Sequence, residues 1–282
     1  MTVSALVAPR AGVWIETNKV ALDPVLLVVY NFFLCGIFRR DYPMIKEKII
    51  SWIKQQVRSC GAKGIVLGLS GGIDSAVCAA LAKKAVGAKR LLVLFLPCFS
   101  HAQDLEDAML VAKKLKIKTK TVDLTAVYST LLKALPQGNA LIRANLKPRL
   151  RMSTLYYFAN KFNYLVCGTG NKSELMVGYF TKYGDGGADI LPLGGLYKMQ
   201  VVKLAQGLGI PKEIIAKPPA AGLWPGQTDE AEMGIRYAEL DDILWRMEKN
   251  KSQIALRDKV NKVKKMLRGS EHKRQGPKIC YV

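Results

Sequence analysis

Apolar residues fall along this chain in short unbroken runs, separated by stretches with helical spacing. Residues 64–69 (GIVLGL) and 91–96 (LLVLFL) are continuous apolar runs of strand length. Such runs predict strands buried on both faces. Residues 118–122 are more polar and predict an edge strand, and residues 164–167 a fourth strand. Helical patterns lie between and after them. Ile45, Ile49, Ile53 and Val57 recur every four residues. Residues 74–86 are Ala-rich and stop at Gly87, residues 103–115 are amphipathic, and residues 123–135 start at a cap, Asp123 or Thr125. Helices are also predicted over 148–162, 197–208, 237–247 and 254–267, the last with a basic face. Gly184–Gly187 form a glycine cluster, and residues 216–226 (AKPPAAGLWPG) read as a loop free to move. No internal repeat is visible. Alternating strands and helices with wholly apolar strands predict an α/β fold, a Rossmann-like parallel sheet with helices on both faces. Ligands of such sheets bind at the carboxyl ends of the strands.

The first 43 residues read differently. Residues 25–38 (VLLVVYNFFLCGIF) are mostly apolar, but a spanning helix needs roughly 20 apolar residues, and Asp23 and Pro24 interrupt any extension upstream. No small-x-small cleavage site follows. The change of pattern at Met44 predicts that the natural start is Met44, that residues 1–43 are an extension that is not native, and that residues 44–282 form one domain. The rival is a short hydrophobic anchor over residues 20–38.

Composition narrows the class. With 50% hydrophobic residues in 282 the chain is not intrinsically disordered. The six cysteines contain no CxxC pair and there are only two histidines, so no local zinc site can be built and reduced thiols are expected. The net charge of +21 fits nucleic acid, an anionic surface, a polyphosphate substrate or a solvated Lys-rich face.

The segment richest in chemistry is Gly68-Leu69-Ser70-Gly71-Gly72-Ile73-Asp74-Ser75, between the first strand and the helix that follows. Ser70, Gly71 and Gly72 let the backbone approach an anion, and the helix points its positive end there. Asp74 would repel a bare phosphate. It makes sense if Mg²⁺ lies between them. Neither a Walker A loop nor a G-x-G-x-x-G fingerprint is present.

S-G-G-x-D-S in a strand–turn–helix resembles the PP-loop of the ATP pyrophosphatases. Residues 145–152 (NLKPRLRM), 168–174 (GTGNKSE) and above all 178–189 (GYFTKYGDGGAD) resemble the blocks of NAD synthetases, and the resemblance covers roughly residues 45–277. It implies an adenine nucleotide alpha hydrolase-like fold. It also implies ATP-dependent amidation of deamido-NAD (nicotinic acid adenine dinucleotide) by ammonia, through an adenylate, with release of AMP and pyrophosphate. By the same resemblance Gly68–Ser75, Thr169, Lys198 and Ala220 contact ATP, and Asp74 and Glu174 hold Mg²⁺. Asn145, Arg149, Lys182, Asp189, His272 and Lys273 contact deamido-NAD. Asp185 lies near the incoming ammonia, and Lys198 offsets charge building on the phosphates, so these two are the catalytic candidates. One departure stands out. The family's K-x-P loop continues with Ser or Thr, whereas here Lys217-Pro-Pro leads to Ala220.

The family also implies a cytoplasmic homodimer with sites at the interface, to which the helix from Met44 and residues 141–160 are candidates to contribute. Forty-three residues cannot hold the nitrilase-type amidase of the glutamine-dependent enzymes, so free or separately delivered ammonia is expected. Neither nucleic acid nor membrane partners are expected. The alternatives are a PP-loop tRNA-modifying enzyme, favoured by the charge, and a nucleotide-binding module that has lost its chemistry.

Overall fold

The computed structural model describes residues 42–224, 226–250 and 257–281. The expectations for residues 1–41 and for the start of the 254–267 helix lie outside these. The apolar runs are strands β1 (Gly64–Gly68), β2 (Leu91–Phe95) and β4 (Tyr164–Val166), and the polar run is β3 (Thr119–Thr121). All pair in parallel in the order β3-β2-β1-β4, which puts β3 at an edge as its polarity requires.

Alternation along the strands divides the core. Ile65, Leu67, Val93 and Phe95 face one side, where they pack with helices α1 (Tyr42–Ser59), α2 (Ile73–Val86), α3 (Ala102–Leu115) and α8 (Lys198–Leu208). Val66, Leu94 and Val166 face the other. They meet Tyr128 of α4 (Thr125–Ala134) and Phe158 of α6 (Leu146–Phe162). The sheet is therefore covered on both faces. Between α4 and α6 lies α5 (Ala140–Ala144) and after β4 comes α7 (Lys172–Val177), two short helices that no periodicity announced. Two boundaries also differ from expectation. The α4 N-cap position is Leu124, and Asp123 instead accepts the Thr125 amide through its side chain at 2.8 Å. Helix α6 begins at Leu146, because proline fits the first turn of a helix without losing a bond.

Beyond α9 (Lys212–Ala216) the chain forms α10 (Asp229–Met233), α11 (Tyr237–Glu248), α12 (Arg257–Gly269) and α13 (Glu271–Arg274). Met233, Leu240, Leu244 and Val263 build a separate cluster there with Val177 and Tyr197. Asp241 joins it to α7 and α8. This fully buried carboxylate accepts the Ser173 hydroxyl and, at 2.9 Å, the Met199 amide, while Ser173 Oγ accepts the Lys198 amide at 2.9 Å.

Burial pushes the Asp241 carboxyl up to about 6, against the Met199 and Ser173 hydrogen bonds. A carboxyl that is harder to ionise in the fold than out of it stabilises the fold in its protonated form. That contribution is present below about pH 4 and is lost as pH rises to about 6, an effect of about 3 kcal/mol. Urea melts from pH 4 to pH 7 should therefore show the parent losing stability relative to Asp241→Asn by about that amount. The opposite trend would mean that the two donors hold Asp241 as an anion.

Candidate active site

A cavity of about 520 Å³ opens at the carboxyl ends of β1, β2 and β4, lined by Gly68, Leu96 and Cys167 among others. The strand order turns back between β1 and β4, the switch point where such sheets bind ligands. Its floor is the 68–75 loop. Ser75 Oγ donates to Gly72 O at 2.9 Å and accepts the Ser70 amide at 3.2 Å, and Ser70 Oγ accepts the Gly72 amide at 3.3 Å. Gly71 adopts φ +82°, and Gly72 caps α2 without a side chain, leaving that helix's first amides open to the cavity.

One wall comes from α7. Its sequence Asn171-Lys-Ser-Glu174 forms a capping box: Asn171 Oδ1 accepts the Glu174 amide at 3.0 Å, and Glu174 Oε2 accepts the Asn171 amide at 3.2 Å. The box leaves Glu174 Oε1 facing the cavity. There Lys198 Nζ, at the first turn of α8, spans Asp74 Oδ2 at 2.5 Å and Glu174 Oε1 at 3.2 Å. Asn171 Nδ2 donates to Asp74 Oδ1 at 3.0 Å. Burial alone would make Lys198 easier to deprotonate. The Asp74 and Glu174 charges override it and hold the ammonium well above the usual lysine range. Burial raises Glu174, with Lys198 opposing.

The predicted residues divide into two groups. Gly68, Leu69, Ser70, Gly72, Ile73, Asp74, Ser75, Asn145, Thr169, Glu174, Asp185, Lys198, Ala220 and Lys273 all line the cavity. Asp185 also shapes its glycine turn, accepting the Thr181 amide at 2.9 Å, and its enclosure by protein raises its carboxyl against that bond. Gly71 lies beneath the loop against Asp104 and Asp107. Arg149, Lys182 and His272 form a chain of contacts outside the lining: Arg149 donates to Lys182 O at 3.4 Å, and Lys182 Nζ donates to His272 O. Asp189 is likewise outside. Both its oxygens are engaged, by Val166 N at 2.7 Å and by the Tyr156 hydroxyl at 3.0 Å.

Several residues in the lining were not singled out from the sequence. Arg151 donates to Leu96 O at 3.0 Å and Ser100 Oγ at 3.2 Å. Asp229 begins α10 at only 4% exposure, and the Tyr237 hydroxyl donates to its Oδ2 at 3.0 Å. Lysines pin the 216–226 loop: Lys217 to Asp104 and Asp107, and Lys147 to Leu223 O at 2.8 Å. The buried Asp107 is held below the usual carboxylate range because the Lys217 and Gln103 hydrogen bonds outweigh its burial.

A polyanionic substrate calls for converging cations. The lining instead carries six carboxylates (Asp74, Asp104, Glu174, Asp185, Asp229, Glu232) and four cations (Arg151, Lys198, Lys217, Lys273). A nucleoside triphosphate fits such a cavity only if further positive charge enters with it.

The model of the family described as NAD synthase matches residues 45–277. The chain belongs to the NAD synthase family. An Archaeoglobus fulgidus relative named NH(3)-dependent NAD(+) synthetase is 48% identical over 244 residues, 86% of this chain and 98% of the relative. A solved structure described as an NMN synthetase from Francisella tularensis shares 39% identity with a TM-score of 0.78. The match covers 86% of this chain and 99% of that one. An NH3-dependent NAD synthetase from Campylobacter jejuni, solved in complex with nitrate ion, shares 30% identity with a TM-score of 0.73 over the same shares. Membership in the NAD synthase family accounts for the parallel sheet and for the place of the cavity in it.

Proposed function

We propose that this chain is an ammonia-dependent NAD synthetase, a ligase that amidates deamido-NAD with ATP. The observation that carries the reading is the junction of the 68–75 loop with the Asp74–Lys198–Glu174 cluster at the mouth of β1. The nicotinate carboxylate attacks the α-phosphorus of ATP, forming the adenylate and releasing pyrophosphate. Ammonia then attacks the activated carbonyl, and AMP leaves with the bonding pair. No protein nucleophile is needed, so the protein contributes positioning and charge. The α2 amides and loop backbone hold the phosphates. Lys198 offsets charge building on them, and Asp185 meets the incoming ammonia or takes its proton.

Asp74 and Glu174 would hold Mg²⁺. Their oxygens already converge on one cation, the Lys198 ammonium, and the surplus of carboxylates in the lining suits another. Among the described residues no group of three metal-ligating side chains occurs, which suits an ion completing its shell with phosphate oxygens. Bound there, it would neutralise phosphate charge.

In this reading residues 44–282 act as one cytoplasmic unit and as a homodimer. The exposed Leu141, Ile142 and Tyr157 support the interface. It would bring the Arg149–Lys182–His272 rim to deamido-NAD. Among the described residues no helix is long and apolar enough to cross a membrane.

The Francisella relative favours a second acceptor, the nicotinate mononucleotide. The test is an endpoint assay with ATP, Mg²⁺ and ammonium, offering each nucleotide separately and quantifying the amide, AMP and pyrophosphate. Equal amounts of NAD and AMP from deamido-NAD are expected. Preference for the mononucleotide moves the substrate assignment, and failure with both in a protein that still binds ATP overturns the activity and brings tRNA forward as acceptor.

Ala220 lines the cavity without a side-chain donor. A hydrogen bond to a charged group contributes about 1.5–3 kcal/mol. Ala220→Ser should therefore lower the KM for ATP about tenfold at unchanged kcat. No improvement would mean that the backbone already serves this position.

A further inference from the structure

One oxygen at the centre of the cavity has no hydrogen-bond partner among the described residues. Asp74 Oδ1 is taken by Asn171 and Oδ2 by Lys198. Glu174 Oε2 accepts the Asn171 amide, and Oε1 receives Lys198 at 3.2 Å and the Tyr237 hydroxyl at 3.4 Å. Asp229 Oδ2 accepts the same Tyr237 hydroxyl at 3.0 Å. Asp229 Oδ1 is buried and, among the described residues, is the one buried side-chain oxygen or nitrogen with no partner. A buried carboxylate oxygen without a partner is costly; Asp229 is one of the residues lining the site, and the Tyr179 hydroxyl faces the same carboxylate.

The Tyr237 ring connects the two halves of this arrangement. Lys198 Nζ packs over it at 4.9 Å from the centroid, and its hydroxyl has one proton for two acceptors, Asp229 and Glu174. Lys198 holds the same two oxygens, Asp74 Oδ2 and Glu174 Oε1, that a divalent cation would use. A dication and an ammonium on one pair of oxygens repel strongly in so enclosed a place.

We propose that Asp229 is a positioning residue for Lys198: when a divalent cation engages Asp74 and Glu174, the ammonium moves across the Tyr237 ring to the free Oδ1 of Asp229. The Tyr237 proton then turns to Glu174. Asp229 keeps the lysine charged and inside the cavity, beside the phosphates rather than on the metal. The proposal rests on the reading of Asp74 and Glu174 as metal ligands.

The test is Mn²⁺ binding by the full chain, read from the electron paramagnetic resonance of free Mn²⁺ in the presence of α,β-methylene-ATP. Asp229→Asn should weaken Mn²⁺ on the order of tenfold, as expected for coupled neighbours. Lys198→Met should tighten it, since the competing cation is gone. In the Lys198→Met background, Asp229→Asn should change the affinity less than about twofold, within the range of uncoupled sites. Equal weakening in both backgrounds would mean that Asp229 acts by its charge alone and overturns the proposal, as does no weakening in the parent. An Mn²⁺ site that survives Asp74→Asn overturns the metal assignment, and the lysine movement with it. Thermal melts check that each variant folds, and Asp229→Ser replaces the Asn variant where that one does not.

Discussion

Lys198→Met should lower kcat about 10³-fold, in the range seen when a buried stabiliser of transition-state charge is removed. The side chain is 3% exposed and spans Asp74 and Glu174. An ammonium kept inside the cavity beside the phosphates costs little reorganisation when negative charge builds on them. Met keeps most of the length and packing over Tyr237 but carries no charge. The fold should survive, because the Lys198 amide, not its side chain, is the group bound to Ser173. Single-turnover release of pyrophosphate is the direct measurement. The ATP Kd should change far less than the rate, and a rate within tenfold of the parent would remove Lys198 from the chemistry.

Gly71→Ala should damage both the fold and ATP binding. At φ +82° an L-residue is strained by about 1–2 kcal/mol. The added carbon would overlap the Asp104 carbonyl and lie 3.0 Å from Asp107 Cβ, against the first turns of α3. A backbone carbonyl cannot turn aside as a flexible side chain can, so the loop or α3 must shift, at a further cost of about 1–3 kcal/mol. A drop in melting temperature together with a rise of tenfold or more in ATP KM is expected. Gly195→Ala meets nothing within 4 Å and serves as the control. A Gly71→Ala protein with parental stability and ATP binding would contradict the loop geometry.

What could be read in advance followed the physics of each signal. β1, β2 and the 68–75 loop were legible because a buried parallel strand needs an unbroken apolar run and a phosphate loop needs small residues. Helices α5 and α7 were not, since five or six residues complete too few turns to show a period. Arg149 and Arg151 show the limit most clearly. Two positions apart on α6 they point to different sides, so Arg149 lies exposed on the rim while Arg151 lines the cavity. The partnership of Asp229 and Tyr237 with Lys198 and Glu174 was hidden because it joins segments tens of residues apart. The surplus of carboxylates in the lining is likewise invisible in a chain of net charge +21.

The cluster built by α10, α11 and α12 has its own apolar interior, apart from the two that flank the sheet. Its polar ties to α7 and α8 run through Asp241 to Ser173 and Met199, Tyr237 to Glu174 and Glu248 to Lys172. Such a unit should open at a lower free energy than the whole protein. Opening it would carry Asp229 and Tyr237 away and leave β1, α2 and the phosphate loop in place. Backbone amides of α11 should then exchange with solvent sooner than those of β1, and on warming turnover should fade while ATP is still bound.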